Sequence, residues 1–409
     1  MLYYYFDSTY IMERTETSHM GTGVVIISTH WEIGAAYMRQ SYLMNYLKTY
    51  GYNVSCIGFV TLPVRGNVQE CINLPLRIST RNEVINAIVN TFILFPSLIV
   101  ALLLLRPRII VVSLPDAEPV MATYFASIIG RMKLVIDIRD PQEENMILLY
   151  NGFSRLIAKM YRNLMHIIYR KAHAVSVVTL SLLKYYVEKL RRKVYFVPNG
   201  ADLRLFVKKR DKDTIRKKFG LPLNATLITY TGAIGISHYY GIISFIKIFR
   251  EIKRELHEDL YLVLAGPIID KYAYSIIRSS NYVIYPGVLN KEDVVDLLSA
   301  SDIGLIPFST ENKYKLIYTY AIPVKFYEYI ATCLPVLALG DYSSELGKLI
   351  DKYQVGYLCE PNNKTCIKDA ILNIIETREK LVHNACKSRT LVDRRFGAKV
   401  FLQLISKLS

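Results

Sequence analysis

Two parallel, doubly wound α/β sheets in one chain of 409 residues are the fold that the sequence predicts. Three observations carry this expectation. Short runs of branched apolar residues alternate with helical stretches along the whole length. The spacing between runs leaves room for crossover helices, and at ~100–200 residues per domain two domains are expected. Side chains that are 52% hydrophobic can fill large cores, and a mean hydropathy of +0.20 excludes a disordered chain.

In the first half, Val24–Thr29, Val54–Phe59, Ile109–Ser113, Leu134–Ile138, Ala174–Val178 and Val194–Val197 read as buried strands. In the second half, Thr226–Thr231, Tyr261–Ala265, Tyr282–Tyr285, Ile303–Pro307 and Val336–Leu339 do so. Phe396 to Leu408 reads as one more helix. The implied division is residues 1–200, residues 201–385, and a C-terminal helix in 386–409 that packs back on the first domain.

The run from Val84 to Leu105 carries no charge and satisfies the length rule for a membrane span. Asn86, Asn90, Pro96 and Ser97 interrupt it, and strands of one sheet flank it, so a span would split that sheet across a bilayer. A buried crossover helix or a helix lying in the membrane interface remain. The formal net charge of +16 is concentrated nearby: Arg155 to Lys218 holds 18 Lys and Arg against four acids. Within Phe153–Lys171, Arg155, Lys159, Arg162, His166 and Arg170 recur at helical spacing, with Leu156, Met160, Leu164 and Ile168 on the other side. This is either a solvated helix face or a surface facing phosphate or an anionic membrane.

Six cysteines stand at 56, 71, 333, 359, 366 and 386, with no CxxC pair and no grouping suited to zinc. A chain this large needs no disulfide scaffold, so a reducing cytoplasm is the simplest home. Met1 to Met20 lacks the basic start and apolar stretch of a secretory signal.

Ligands in doubly wound folds sit at the carboxyl ends of strands. After Thr226–Thr231 comes Gly232-Ala-Ile-Gly235-Ile-Ser237-His238, a turn into a helix where a backbone can approach phosphate. It does not match the dinucleotide fingerprint. More specific is Pro323-Val-Lys325-Phe-Tyr-Glu328-Tyr, which sets Lys325 and Glu328 three apart on a helix start. The lysine suits a diphosphate and the carboxylate suits two ribose hydroxyls. The plainer alternative is a local ion pair.

These strings lead to a family. The chain resembles the family-4 glycosyltransferases of the GT-B fold, particularly the branch similar to N-acetylfucosamine transferases and related cell-surface polysaccharide enzymes. The resemblance covers roughly residues 24 to 408. Its marks are Val197-Pro-Asn-Gly-Ala-Asp202-Leu-Arg-Leu-Phe206, the Pro-x-Lys-x-x-Glu-Tyr string, Tyr230-Thr-Gly232-Ala-Ile-Gly235 and Ala300-Ser-Asp302-Ile-Gly-Leu-Ile-Pro307. His30-Trp-Glu-Ile-Gly34-Ala-Ala-Tyr-Met-Arg39 resembles the glycine-rich loop after the first strand, and Asp137-Ile-Arg139-Asp140-Pro141 a motif of the branch.

The resemblance implies GT-B architecture, two Rossmann-like sheets facing a cleft. It implies transfer of a sugar from a nucleotide diphosphate donor with retention, without a metal or other cofactor. Gly232, Gly235, Ser237, His238, Lys325 and Glu328 would hold the donor, and Gly34 and Arg39 the acceptor. Asp137, Arg139 and Asp140 are the implied catalytic candidates, the alternative being a structural turn with an internal Arg–Asp pair. The expected partners are a nucleotide sugar, a lipid-linked or glycan acceptor, and an anionic membrane met by Arg155, Lys159, Arg162 and Arg170. No nucleic acid is expected, and the protein would sit peripherally at the inner face of the cell membrane. Two departures stand out. Many members carry a second glutamate where this chain has Tyr320, and an arginine and lysine after the first donor loop are absent. Alternatives are a sugar-nucleotide epimerase or phosphorylase of the same fold, or a basic nucleic-acid-binding module, for which no recognition motif is present.

Overall fold

Parallel neighbours in a sheet require long crossovers, and the branched runs of this chain are spaced to supply them. The computed structural model describes residues 22–28, 35–62, 71–78, 83–114, 118–206, 211–234, 236–256, 258–269, 271–309 and 315–409. The chain falls into two units: one of Met1–Val178, Leu183–Val197 and Phe396–Ser409, the other of Thr179–Leu182 and Pro198–Arg395.

The first unit holds strands β1 (Gly23–Ile27), β2 (Asn53–Leu62), β3 (Ile72–Ile78), β4 (Ile109–Ser113), β5 (Lys133–Ile138), β6 (Ala174–Val177) and β7 (Tyr195–Phe196). They pair in parallel in the order β3-β2-β1-β4-β5-β6-β7. Its helices are α1 (Ala35–Thr49), α2 (Glu83–Leu105), α3 (Glu118–Ile129), α4 (Gln142–Leu149), α5 (Gly152–Lys171) and α6 (Leu180–Leu190), the last beginning in the other unit. The second unit begins with the short helices α7 (Leu203–Phe206) and α8 (Lys212–Lys218). Strand β8 (Thr226–Thr231) leads to α9 (Ile236–Glu255), β9 (Leu260–Ala265) to α10 (Lys271–Ser279), and β10 (Val283–Gly287) to α11 (Lys291–Ala300). Strand β11 (Ile303–Pro307) is followed by α12 (Lys315–Tyr320) and α13 (Val324–Ala331). Strand β12 (Val336–Leu339) leads to α14 (Glu345–Tyr353), and β13 (Gly356–Cys359) to α15 (Lys364–Glu376) and α16 (Arg378–Ser388). Helix α17 (Arg394–Ser406) follows a 3-10 turn. The second sheet runs β10-β9-β8-β11-β12-β13. In both sheets the order reverses beside the first strand, at β1/β4 and β8/β11, which is where such folds open a crevice for ligand.

Cores form on the sheet faces. In the first unit Val24, Ile26, Leu43 and Leu47 bury against Phe401, Leu404 and Ile405 of α17. The return to this unit begins at Phe396 rather than at 386. In the second unit, Phe245 and Phe249 of α9 stack in the core of β8, β9 and β11. Helix α13 packs on the opposite core with Ile306, Val336 and Ala338.

Two features depart from the sequence reading. All six cysteines are paired: Cys56–Cys71, Cys333–Cys386 and Cys359–Cys366. Cys56 and Cys71 meet because β2 and β3 are neighbours, a proximity that sequence spacing does not reveal. The cysteine content therefore no longer argues for a reducing compartment. Helix α2 is a crossover helix with an outward face: Leu98 and Leu102 are buried, whereas Phe92, Val100 and Leu104 are exposed. No helix among the described residues is long and apolar enough to cross a membrane.

Candidate active site

The carboxyl ends of β8 and β9 meet at two glycines. Gly232, at φ +135°, lies where a Cβ would come within 2.7 Å of both Cε and Nζ of Lys325. Gly266 has the same φ, and a Cβ there would strike the Gly232 backbone. Both positions need glycine for backbone conformation and for space. The Gly232 amide donates to Ala265 O at 2.7 Å, so the turn is fixed by the neighbouring strand. The space that a side chain would take at Gly232 is filled by the end of Lys325.

Helix α13 supplies that ammonium. Its first turn begins after Pro323, a residue suited to a helix entry. Lys325 Nζ stands 4.8 Å from the Tyr230 ring centroid, and Tyr230 in turn donates from its hydroxyl to Ala233 O at 2.8 Å. Tyr329, fully buried, donates to Leu305 O at 3.0 Å, and Gly304 leaves the gap that admits its ring. The helix is thus pinned to β8 and β11, so Lys325 and Glu328 keep a fixed place at the sheet end.

Glu328 is the unusual group. Burial pushes its carboxyl up to about 7, against the opposing charges of Lys325 and Lys291. Among the described residues no side chain donates a hydrogen bond to it, and it forms no ion pair with Lys325 closer than the 4 Å of an ordinary salt bridge. The local ion pair that was the plainer reading of the spacing is therefore absent. A carboxylate held this way has its acceptor capacity unspent, which suits recognition of neutral hydroxyls. Lys291, whose charge is felt by Glu328, is a candidate that the sequence reading missed. It opens α11 behind the Asn290 cap, whose side chain accepts from Asp293 N at 2.9 Å, and burial lowers its ammonium pKa. The only available signal was a lysine at a helix start on the ligand edge of the sheet. Nearby, Asp202 and Arg394 form an ion pair, Arg394 N donates to Ala201 O, and Ala201 N donates to Val392 O.

Gly34 and Gly235 lie outside the described residues, as do the side chains of Ser237 and His238.

In the first unit, two of the candidates belong to the fold. Asp137 is 1% exposed at the end of β5 and accepts from Arg39 Nε at 3.1 Å, Arg39 Nη2 at 2.9 Å, Ser113 Oγ at 3.2 Å and Ser176 Oγ at 2.7 Å. Burial would raise its pKa, but the charge and hydrogen bonds of Arg39 outweigh burial and hold the carboxyl below its ordinary value. Arg39 also donates to Val197 O at 2.9 Å. The pair ties α1 to three strands and to the end of β7, and both Asp137 oxygens are engaged within the fold. Asp137, expected as a catalytic group, and Arg39, expected at the acceptor, are thus bonded to one another at the end of β5. Arg139 and Asp140 remain half-exposed at the carboxyl edge. Arg139 donates through Nε to Leu114 O, and burial raises the Asp140 carboxyl against the charge of Arg139.

The basic stripe on α5 is broken. Arg155, Lys159 and Arg170 are exposed, but Arg162 lies 3.7 Å from Glu144, and buried His166 lies 3.5 Å from Glu143 and 3.6 Å from Glu144. Glu143 is completely buried and also accepts from Tyr186 at 2.6 Å. That carboxylate draws His166 and Tyr169 inward, so the inner face carries Ala158, Met165 and Ile168, while Leu156, Met160, Leu164 and Ile167 face out. Much of the positive segment after α6 is structural too. Arg216 is fully buried and bonded to Asp302 at 2.7 Å, and Lys218 pairs with Asp296 at 2.9 Å. Among the described residues no group of His, Cys, Asp and Glu is arranged to hold a metal.

Residues 211–389, which contain the glycine turn, Lys291, Lys325 and Glu328, match the family described as Glycosyl transferases group 1. No relative is found among curated proteins. Among solved structures the chain is similar to the sucrose-phosphate synthase of Thermosynechococcus elongatus, with TM-score 0.67 and 15% identity over 95% of this chain and 99% of that one. It is also similar to Anabaena Alr3699/HepE in complex with UDP and glucose, with TM-score 0.67 and 13% identity over 94% of this chain and 100% of the other. A third is WaaG, a glycosyltransferase involved in lipopolysaccharide biosynthesis, with TM-score 0.64 and 13% identity over 93% and 99%. The two parallel sheets and these likenesses give the fold as GT-B with two Rossmann-like domains. The match over 211–389 supports a glycosyltransferase.

Proposed function

We propose that this protein transfers a sugar from a nucleoside diphosphate donor to an acceptor hydroxyl, and that its second unit holds the donor. The observation that carries this reading is the placement of Lys325 and Glu328 on one turn of α13, with the Lys325 ammonium against the Gly232 turn. Lys325 neutralises the diphosphate as the bond to the anomeric carbon breaks and charge grows on the departing oxygen. Glu328 accepts from the ribose hydroxyls, and Lys291 keeps its carboxylate form accessible. The acceptor oxygen bonds to the anomeric carbon, and its proton leaves with the released phosphate. In the first unit, Arg139 and Asp140 are placed at the sheet edge where an acceptor is oriented.

The finer parts of the reading are retention of configuration, a lysine rather than a divalent ion as the positive charge, and membership of the branch similar to N-acetylfucosamine transferases. A uridine nucleotide in the donor is supported by the UDP bound to HepE. A lipid-linked acceptor is supported by the likeness to WaaG, a glycosyltransferase involved in lipopolysaccharide biosynthesis. Peripheral attachment to the cytoplasmic face of a membrane is supported by the exposed Arg155, Lys159 and Arg170.

The deciding experiment incubates the protein with a panel of nucleotide sugars, with and without a polyprenyl-phosphate acceptor and with excess EDTA. Release of nucleoside diphosphate, an acceptor product with the donor's anomeric configuration, and indifference to EDTA are expected. An epimerised donor with no transfer would replace this reading by the epimerase one, and no consumption of any donor would end both.

A further inference from the structure

In a parallel sheet each helix that precedes a strand ends at the amino edge of the sheet, opposite the ligand edge. Helices α2, α3, α5 and α6 therefore end together, ahead of the adjacent strands β4, β5, β6 and β7. Two of these ends share one pattern. Leu104 and Leu105 are exposed and followed by exposed Arg106; Ile128 and Ile129 are exposed and followed, after Gly130, by exposed Arg131. Both arginines adopt left-handed φ, 44° and 52°, so the chain turns sharply there and leaves each aliphatic pair at the rim. Leu104 is 78% exposed and Ile129 63%. Exposed Arg108, Lys133, Lys171 and Arg191 continue the cationic row along the edge, and among the described residues none of them is in an ion pair with an acid. The outward stripe of α5, with Met160 65% exposed, extends the apolar surface away from this edge.

Cations at helix ends have a simpler explanation, since they favour the carboxyl end of the helix dipole. The second unit supplies the control. Its helices end at an equivalent edge, yet acids are interspersed there: Glu255 ends α9, Asp259 precedes β9, and Asp302 precedes β11. The cations near them are paired, Lys253 with Asp259 at 3.9 Å and Lys212 with Asp302 at 2.7 Å. The dipole does not by itself produce an acid-poor row, and it gives no reason for exposed aliphatic pairs.

We propose that the amino edge of the first sheet, together with the outer faces of α2, α3 and α5, is a docking surface for an anionic lipid bilayer. Aliphatic side chains interleaved with unpaired cations match an acyl layer beneath negatively charged headgroups. This rests on the membrane part of the reading above and is independent of the donor chemistry. It enlarges the contact from the α5 stripe to the ends of two further helices.

The test measures partition of the whole protein onto phosphatidylcholine vesicles with and without phosphatidylglycerol. Each Lys or Arg near an anionic surface contributes roughly fivefold to binding. The variant Arg108→Gln/Lys133→Gln/Lys171→Gln is thus expected to bind about 100-fold more weakly to anionic vesicles, with unchanged consumption of donor. A second variant, Leu104→Ser/Ile129→Ser, is expected to lose the binding that survives in high salt. If both variants bind like the parent while Arg155→Glu/Lys159→Glu releases the protein, the larger surface is wrong and the α5 contact stands. If the parent binds neither vesicle but still turns over donor, both membrane statements fall and the transferase reading survives. If the parent ignores vesicles and the serine variant instead converts a dimer to a monomer, the surface covers a second copy and the proposal is overturned.

Discussion

Two carboxylates, Asp137 in the first unit and Glu328 in the second, lie at the carboxyl edges of their sheets, the first fully buried and the second half-buried. Asp137 is saturated: an arginine and two serines fill its acceptor sites, and its pKa falls. Glu328 has two lysines near enough to be felt but, among the described residues, no donor, and its pKa rises to about 7. Desolvation pushes both carboxyls upward, and the partners decide the outcome. A buried acid whose hydrogen bonds are complete holds a fold together, whereas one left short of partners is ready for a ligand.

The largest expected effect breaks the comparison at its structural side. Asp137→Ala leaves Arg39 buried without its counter-charge, a loss of roughly 3–5 kcal/mol by chemical denaturation. Next, Glu328→Gln keeps the fold but weakens binding of a nucleoside diphosphate by about 10–100-fold in calorimetry, since hydrogen bonds to a charged group are worth roughly 1.5–3 kcal/mol. Equal affinity would remove Glu328 from the donor site.

The smallest effects concern pH, and their signs are opposite. Asp137 has a lowered folded pKa, so its stabilisation is present above the unfolded pKa of 3.8 and disappears as pH falls through the lower folded one. Glu328 has a raised folded pKa, so the folded state retains a proton that the unfolded state has released between 4.5 and about 7. Its contribution therefore becomes unfavourable as pH rises through that window, and Glu328→Gln is expected to gain about 1–3 kcal/mol over the parent above pH ~7.5 and little near pH ~4.5. A stability difference that does not grow with pH would contradict the unpartnered carboxyl. Donor affinity in the parent is expected to increase as pH rises toward about 7, then level off.

The sequence made the sheets legible because branched runs such as Ile109–Ser113, Thr226–Thr231, Ile303–Pro307 and Val336–Leu339 are strands from end to end. It concealed β3, which Asn73 and Pro75 interrupt, and β13, four residues opened by Gly356. Lys325 and Glu328 were legible because both lie on one helical turn. The Arg39–Asp137 pair was not, because its partners are 98 positions apart and meet only once α1 rests on β5. Periodicity placed His166 with the cations and Ile168 with the outward Leu156, Met160 and Leu164 of α5, yet both turn inward. That is decided by Glu143 on α4, whose burial requires His166 and Tyr169 as neighbours.

Helix α17 has a consequence for synthesis. Domains ordinarily fold in the order in which the ribosome delivers them. Here Ala398, Phe401, Leu404 and Ile405 close the α1 side of the first unit's core, and they are translated after the whole of Pro198–Arg395. The second unit can reach its native state on emergence, while the first must wait with Leu43 and Leu47 uncovered, so the half made first is the half finished last.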